Sequence, residues 1–191
     1  IRNTTGAVLT LGGAGVDLGA ATQDFDFQCG RQLGASQVWN IAAGRTVASN
    51  LLAGSAGHTL TKAGAGTLSL TGATNLGAGL TVTAGTLRAA PASGTAVWSG
   101  PLSGGGLVEK SGTGALTLAG PSPGFSGTFE LLAGTLNLGH AGALGGSTLR
   151  VAGGSLDNTS GAPVTLAGGS SQTWAGNFSF LGTNALVLGA T

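Results

Sequence analysis

Asp24 and Asp26 stand two residues apart, a spacing that in a strand puts both carboxylates on one face, where they could do acid–base work or hold Ca²⁺. Phe25 and Phe27 alternate with them, so if the rings face a core the carboxylates face water, and a solvated pair is the reading adopted. A carbohydrate-active enzyme would need an acidic groove gathering Asp24, Asp26, Glu109 and Glu130. Gly12-Gly13-Ala14-Gly15-Val16-Asp17 matches the start of a nonapeptide calcium repeat. It occurs once, and Gly19 stands where that pattern requires an apolar residue. Gly120-Pro121-Ser122-Pro123-Gly124 fits the hydrolase elbow G-x-S-x-G, which needs a strand before it and a helix after it. Two prolines and no helical pattern make it a rigid turn. His58 and His140 have no second His or Cys at ligand spacing, and no complete dinucleotide or Walker-type loop occurs among the glycines. Trp39, Trp98 and Trp174 each follow a Val or Thr within a strand-like run, so they either stack sugars from the surface or pack at an interior corner. No catalytic, cofactor-binding or metal-ligating residue is assigned, no cofactor is expected, and the chain is read as non-enzymatic.

The elements that would carry these residues are short and repeated. From Thr59 to Leu87 the chain alternates apolar with Thr or Ser residues between glycine turns, and from Leu107 to Leu138 it does so again. At an offset of 48, Lys110, Gly112, Gly114, Leu116, Leu118 and Gly120 fall on Lys62, Gly64, Gly66, Leu68, Leu70 and Gly72. At an offset of 49, Ala133, Gly134, Thr135 and Leu136 fall on Ala84, Gly85, Thr86 and Leu87. Units this small cannot bury their own apolar face and must stack, which is the pattern of a β-solenoid. Runs such as Gln37 to Ile41, Arg45 to Ser49, Ala96 to Ser99 and Thr148 to Val151 are four to six residues long and bounded by turn formers. No ten-residue window has a glycine-free period of 3.6, so essentially no helix is expected. Alternation points Leu68, Leu70, Val82, Leu87, Leu116, Leu118, Leu136 and Leu138 inward as stacked ladders, with Thr and Ser outward. At about 20 to 25 residues per rung the chain makes about eight or nine rungs, a body about 40 Å long at ~4.8 Å per rung.

Composition narrows the partners. The 191 residues include 39 glycines and five prolines, near the level of low-complexity disorder, yet 41% are hydrophobic and ordered by alternation. Only 7% are charged, with seven basic against six acidic side chains, which leaves no footprint for nucleic acid. No basic amphipathic helix suits a membrane surface, and the glycine-broken apolar runs never approach the roughly 20 residues of a membrane span. One cysteine, Cys29, allows no internal disulfide and reads as a small hydrophobe beside Phe25 and Phe27.

The phrase Ile1 to Gly13 returns with one residue inserted at Leu156 to Gly168, each followed by a Phe-x-Phe pair, Phe25 and Phe27 or Phe178 and Phe180. A module restart near residue 156 suggests one solenoid segment, 1–191, of a longer parent. No leader precedes Ile1-Arg2-Asn3, so an export signal would have been removed or would lie elsewhere. Neither end changes composition to form a polar cap, so the chain is expected to continue covalently or to stack end to end with another copy.

Leu60-Thr61-Lys62-Ala63-Gly64-Ala65-Gly66-Thr67-Leu68-Ser69-Leu70-Thr71-Gly72, followed by Thr83-Ala84-Gly85-Thr86-Leu87, resembles the autotransporter-associated β-strand repeat of bacterial surface proteins. The second copy departs from it at Val108-Glu109-Lys110 and at Pro121-Ser122-Pro123. The resemblance implies a right-handed parallel β-helix, secreted and displayed at or beyond the outer membrane, with no catalytic residues. The resulting expectation is a structural extracellular stalk, fibre or adhesin-like segment that associates end to end. The alternatives are an adhesin binding surface glycans through Trp39 or Trp98 and, behind it, a carbohydrate-active β-helix enzyme.

Overall fold

The computed structural model describes residues 8–49, 52–53, 57–72, 75–77, 79–166 and 171–188. All regular structure among them is β, and every ladder is parallel. The chain visits three faces of a prism in turn and returns to the first one coil later, so each strand pairs with the strand one coil before and after. This solves the problem of very short strands: each buries one side and pairs both edges only within the stack.

The first face is a six-stranded sheet, Val16–Leu18, Gln37–Ile41, Leu60–Ala63, Leu80–Val82, Leu102–Gly104 and Gly124–Phe125. The second is unbroken over eight strands, from Phe25–Phe27 through Thr46–Ser49, Thr67–Leu70, Thr86–Ala89, Leu107–Lys110, Thr128–Leu131 and Thr148–Val151 to Gln172–Trp174. The solenoid thus makes about eight coils. The third face begins with the three-stranded sheet Val8–Leu11, Gly30–Leu33 and Leu52–Ala53. It goes on with six strands, Asn75–Leu76, Thr95–Trp98, Ala115–Leu118, Thr135–Leu138, Ser155–Asn158 and Ser179–Phe180. After Leu138 the chain leaves the order once. Residues 139–147 form a string of tight turns in the place of a first-face strand and bury Ala143 and Leu144 there instead. The pair Val164–Thr165 and Leu186–Val187 then resumes the first-face slot.

Alternation decides what each strand buries. On the second face Val47, Leu68, Leu87, Val108, Phe129 and Leu149 are successive register partners, 19 to 21 residues apart, and all six are fully buried. The third face contributes Ala96, Leu116, Leu136 and Leu156 as a second column and Trp98, Leu118 and Leu138 as a third. All eight aliphatic residues expected inside are buried, but they line two or three different walls. Burying one such side chain contributes about 1.5 to 3 kcal/mol, and the columns repeat that gain at every coil. No helix of the described residues is long and apolar enough to cross a membrane.

Candidate functional site

Lys62 occupies an inward position between the buried Leu60 and the corner that leads from the first face to the second. Its side chain is 1% exposed. Burying an ammonium without partners is prohibitive, and the corner supplies them. Nζ donates to Ala63 O at 2.8 Å and Gly64 O at 2.8 Å in its own corner, and to Ala84 O at 3.2 Å in the corner of the next coil. Lys110 repeats the arrangement at the corner between the second and third faces, donating to Ser111 O, Gly112 O and Ala133 O, each at 2.9 Å. All three N–H donors of each ammonium are used. Burial pushes each lysine down to about 8.

Glycine makes these cages possible. At Gly134 φ is +71°, and a Cβ there would meet Gly112 O and Gly114 O at 2.4 Å and Lys110 Nζ at 2.5 Å. The K-x-G-x-G phrase and the later A-G-T-L phrase of one repeat are therefore two consecutive coils of one corner, the first providing the cation and the second its remaining acceptor. Sequence reasoning aligned both lysines but missed their burial. The signal was present, because Lys62 is in phase with Leu60 and Lys110 with Val108.

The carboxylates fall on one outward column of the second face, where the register runs Asp26, Ala48, Ser69, Arg88, Glu109, Glu130, Arg150, Thr173. Asp24 and Asp26 are exposed, as expected, with Phe27 buried beside them. Glu109 and Glu130, however, are direct neighbours. The condition that all four acids lie far apart fails for this pair, because coil length brings residues 21 apart into register. Each is tied to an arginine on its far side, Glu109 to Arg88 Nε at 2.8 Å and Glu130 to Arg150. The pair therefore forms two back-to-back ion pairs on a flat sheet, and Asp26 is four register steps from Glu109.

The remaining candidates serve the fold. Asp17 accepts from Gly19 N at 2.8 Å and from Asn40 Nδ2 at 3.0 Å on the next coil. Ser122 is buried, and its Oγ accepts from Leu102 N at 3.1 Å. His140 Nδ1 accepts from Gly142 N at 2.9 Å inside the turn string, and His58 is half-buried. Cys29 is buried next to Arg31, whose guanidinium sits 4.5 Å over the Phe27 ring and donates to Ser49 Oγ at 2.6 Å. Among the described residues no three His, Cys, Asp or Glu side chains gather as a metal site.

Trp39 and Trp98 are 0% and 1% exposed and offer no face to a sugar. Trp39 Nε1 donates to Gln37 Oε1 at 2.9 Å. Trp174, by contrast, is 43% exposed and stacks on Phe178, rings 4.8 Å apart and 8° from parallel. With Leu156, Phe180, Leu186 and Leu188 they line an apolar cleft of about 200 Å³ on the last described coil.

This geometry defines a parallel β-solenoid built from corner-pinned repeats. Two stretches, residues 60–89 and 108–138, match the model of the passenger-associated-transport-repeat. The chain is also similar to the adhesin BmaC autotransporter of Brucella suis biovar 1 (strain 1330), 37% identical over 130 residues. That match takes in 66% of this chain and spans 4% of the relative's length. No solved structure matches.

Proposed function

We propose that this chain is a passive, stiff stretch of a surface-displayed or secreted passenger, a scaffold that holds other parts of an adhesin-like protein away from the cell. What supports the reading most directly is the second face, whose inward column from Val47 to Leu149 is sealed through six coils. Coils that share backbone hydrogen bonds with both neighbours and a dry aliphatic interior resist bending and proteolysis from the side. Outward Thr, Ser and Asn with few charges keep the rod wet, and the charges among the described residues that do face out are largely paired. The passenger repeat and the likeness to an adhesin favour the same role. Catalysis has no support in this arrangement, since the two buried amines are closed off from substrate and the two neighbouring glutamates are neutralised.

End-to-end stacking belongs to the same proposal. The cleft around Trp174 and Phe178 is an apolar surface that a further coil would cover, whether from the same polypeptide or from another copy. The test pairs a glycan array with protease challenge and sedimentation of the purified chain. Protection from protease without saturable glycan binding supports the scaffold. Saturable binding lost in W174A would replace it with a glycan-binding role, and a monomer at all concentrations would remove the stacking of separate copies.

A further inference from the structure

The step of 48 residues that carries Lys62 onto Lys110 carries Lys110 onto Asn158. The three phrases Leu60-Thr61-Lys62, Val108-Glu109-Lys110 and Leu156-Asp157-Asn158 align, and in each the last residue is the final inward position before a corner. Lys62 guards the edge between the first and second faces, Lys110 the edge between the second and third, and Asn158 the edge between the third and first.

Asn158 is fully buried. Its Nδ2 donates to Ala162 O at 2.8 Å within its own corner and to Ala185 O at 2.6 Å in the corner of the next coil. Its Oδ1 accepts from Ser160 N at 3.1 Å and Ser160 Oγ at 2.7 Å, which fixes which way the carboxamide points. The division of contacts is that of the lysines. One set goes to the residue's own corner and one donor crosses to an alanine carbonyl of the next coil, Ala84, Ala133 or Ala185. The third span is longer, 27 residues against 22 and 23, and the corner must come further inward because a carboxamide arm is shorter than a lysine.

We infer that Asn158 is the pin of a third copy of the repeat, in which a neutral carboxamide replaces the ammonium, and that the three pins cross-tie the three edges of the prism at different heights. Its role is to donate to carbonyls across two coils, so it holds the corner shut by hydrogen bonding and does not depend on charge. The matched repeats end at residue 138, so this copy is visible only through the corner it builds.

Hydrogen exchange by NMR on the full 191-residue chain tests the assignment. The Nδ2 protons of Asn158 are expected to exchange at least about 100-fold more slowly than those of Asn137, whose carboxamide lies on an outward position. In the variant N158L, packing is kept, because Leu138 holds the same register position one coil earlier. Protection of the Val164 amide, bonded to Ala185 O, is expected to fall at least about tenfold while Thr135 is unchanged. Carboxamide protons that exchange as fast as those of Asn137, or an N158L chain with undiminished protection at Val164, would overturn the inference. The first measurement needs no variant, so it decides even if N158L does not fold.

Discussion

Lys62 and Lys110, related by the internal repeat, lie on different faces of the solenoid, one corner apart. The register spacing along the second face is 19 to 23 residues per coil, so a 48-residue repeat is two coils and one further face. Successive copies are rotated about the axis instead of being stacked, and the K-x-G-x-G phrase builds a corner whichever two faces it joins. The three tryptophans obey the same rotation, with Trp39 on the first face, Trp98 on the third and Trp174 on the second.

Replacing either pin by an apolar chain of similar length, K62M or K110M, removes three charge-assisted hydrogen bonds and leaves carbonyls facing an apolar neighbour. Each variant is expected to lose about 2 kcal/mol, read as a lower urea midpoint at constant slope. An unchanged midpoint would mean that the lysines only fill space.

The same lysines set a dependence on alkali. Their folded value of about 8 lies below the model value of 10.5, so between these limits the unfolded chain binds more protons than the folded one and stability rises with pH. Below about pH 8 the full burial penalty applies, and above about 10.5 it is gone. Urea midpoints taken from pH 7.5 to 10.5 should climb in the wild type and stay flatter in a K62M/K110M double variant. A fall over that window in the wild type would contradict the assigned direction.

Gly134→Ala is expected to destabilise by more than about 2 kcal/mol, because the residue needs φ of +71° and its Cβ would press on Gly112 O and on Lys110 Nζ. Gly105 has open space around its Cβ and no positive φ. Gly105→Ala should therefore lie within about 0.5 kcal/mol of wild type in thermal or urea unfolding.

Truncating the sealed column at its largest member, F129A, should cost about 3 to 5 kcal/mol. Breaking the outward pair with R88A should cost at most about 1 kcal/mol, though Arg88 stands one coil from Val108's neighbour Glu109 on the same sheet. Equal losses from the two variants would show that the outer charge column carries the fold as much as the core does.

Much of this was legible without coordinates. Alternation with period two is a local property, so the inward set from Leu68 to Leu138, the outward Asp24 and Asp26, and the strands at Gln37–Ile41 and Thr148–Val151 could be read directly. Ser122 and Asp17 could be set aside as turn and structural residues from their neighbours in sequence. The lysine cages could not, because their acceptors are backbone carbonyls, which leave no trace in side-chain identity, and one of the three comes from the next coil.

By itself, then, the sequence determined that short glycine-bounded strands must coil upon one another and which side of each strand is dry. The tertiary structure alone decided which coils meet, since that depends on corner lengths summed around the prism. From it follow the rotation of the repeats by one face, the pairing of Glu109 with Glu130, the burial of Trp39 and Trp98 against the exposure of Trp174, and the closure of the corners around Lys62 and Lys110. Side-chain alternation is set within a strand, whereas register between coils is set by the path the backbone takes through every corner.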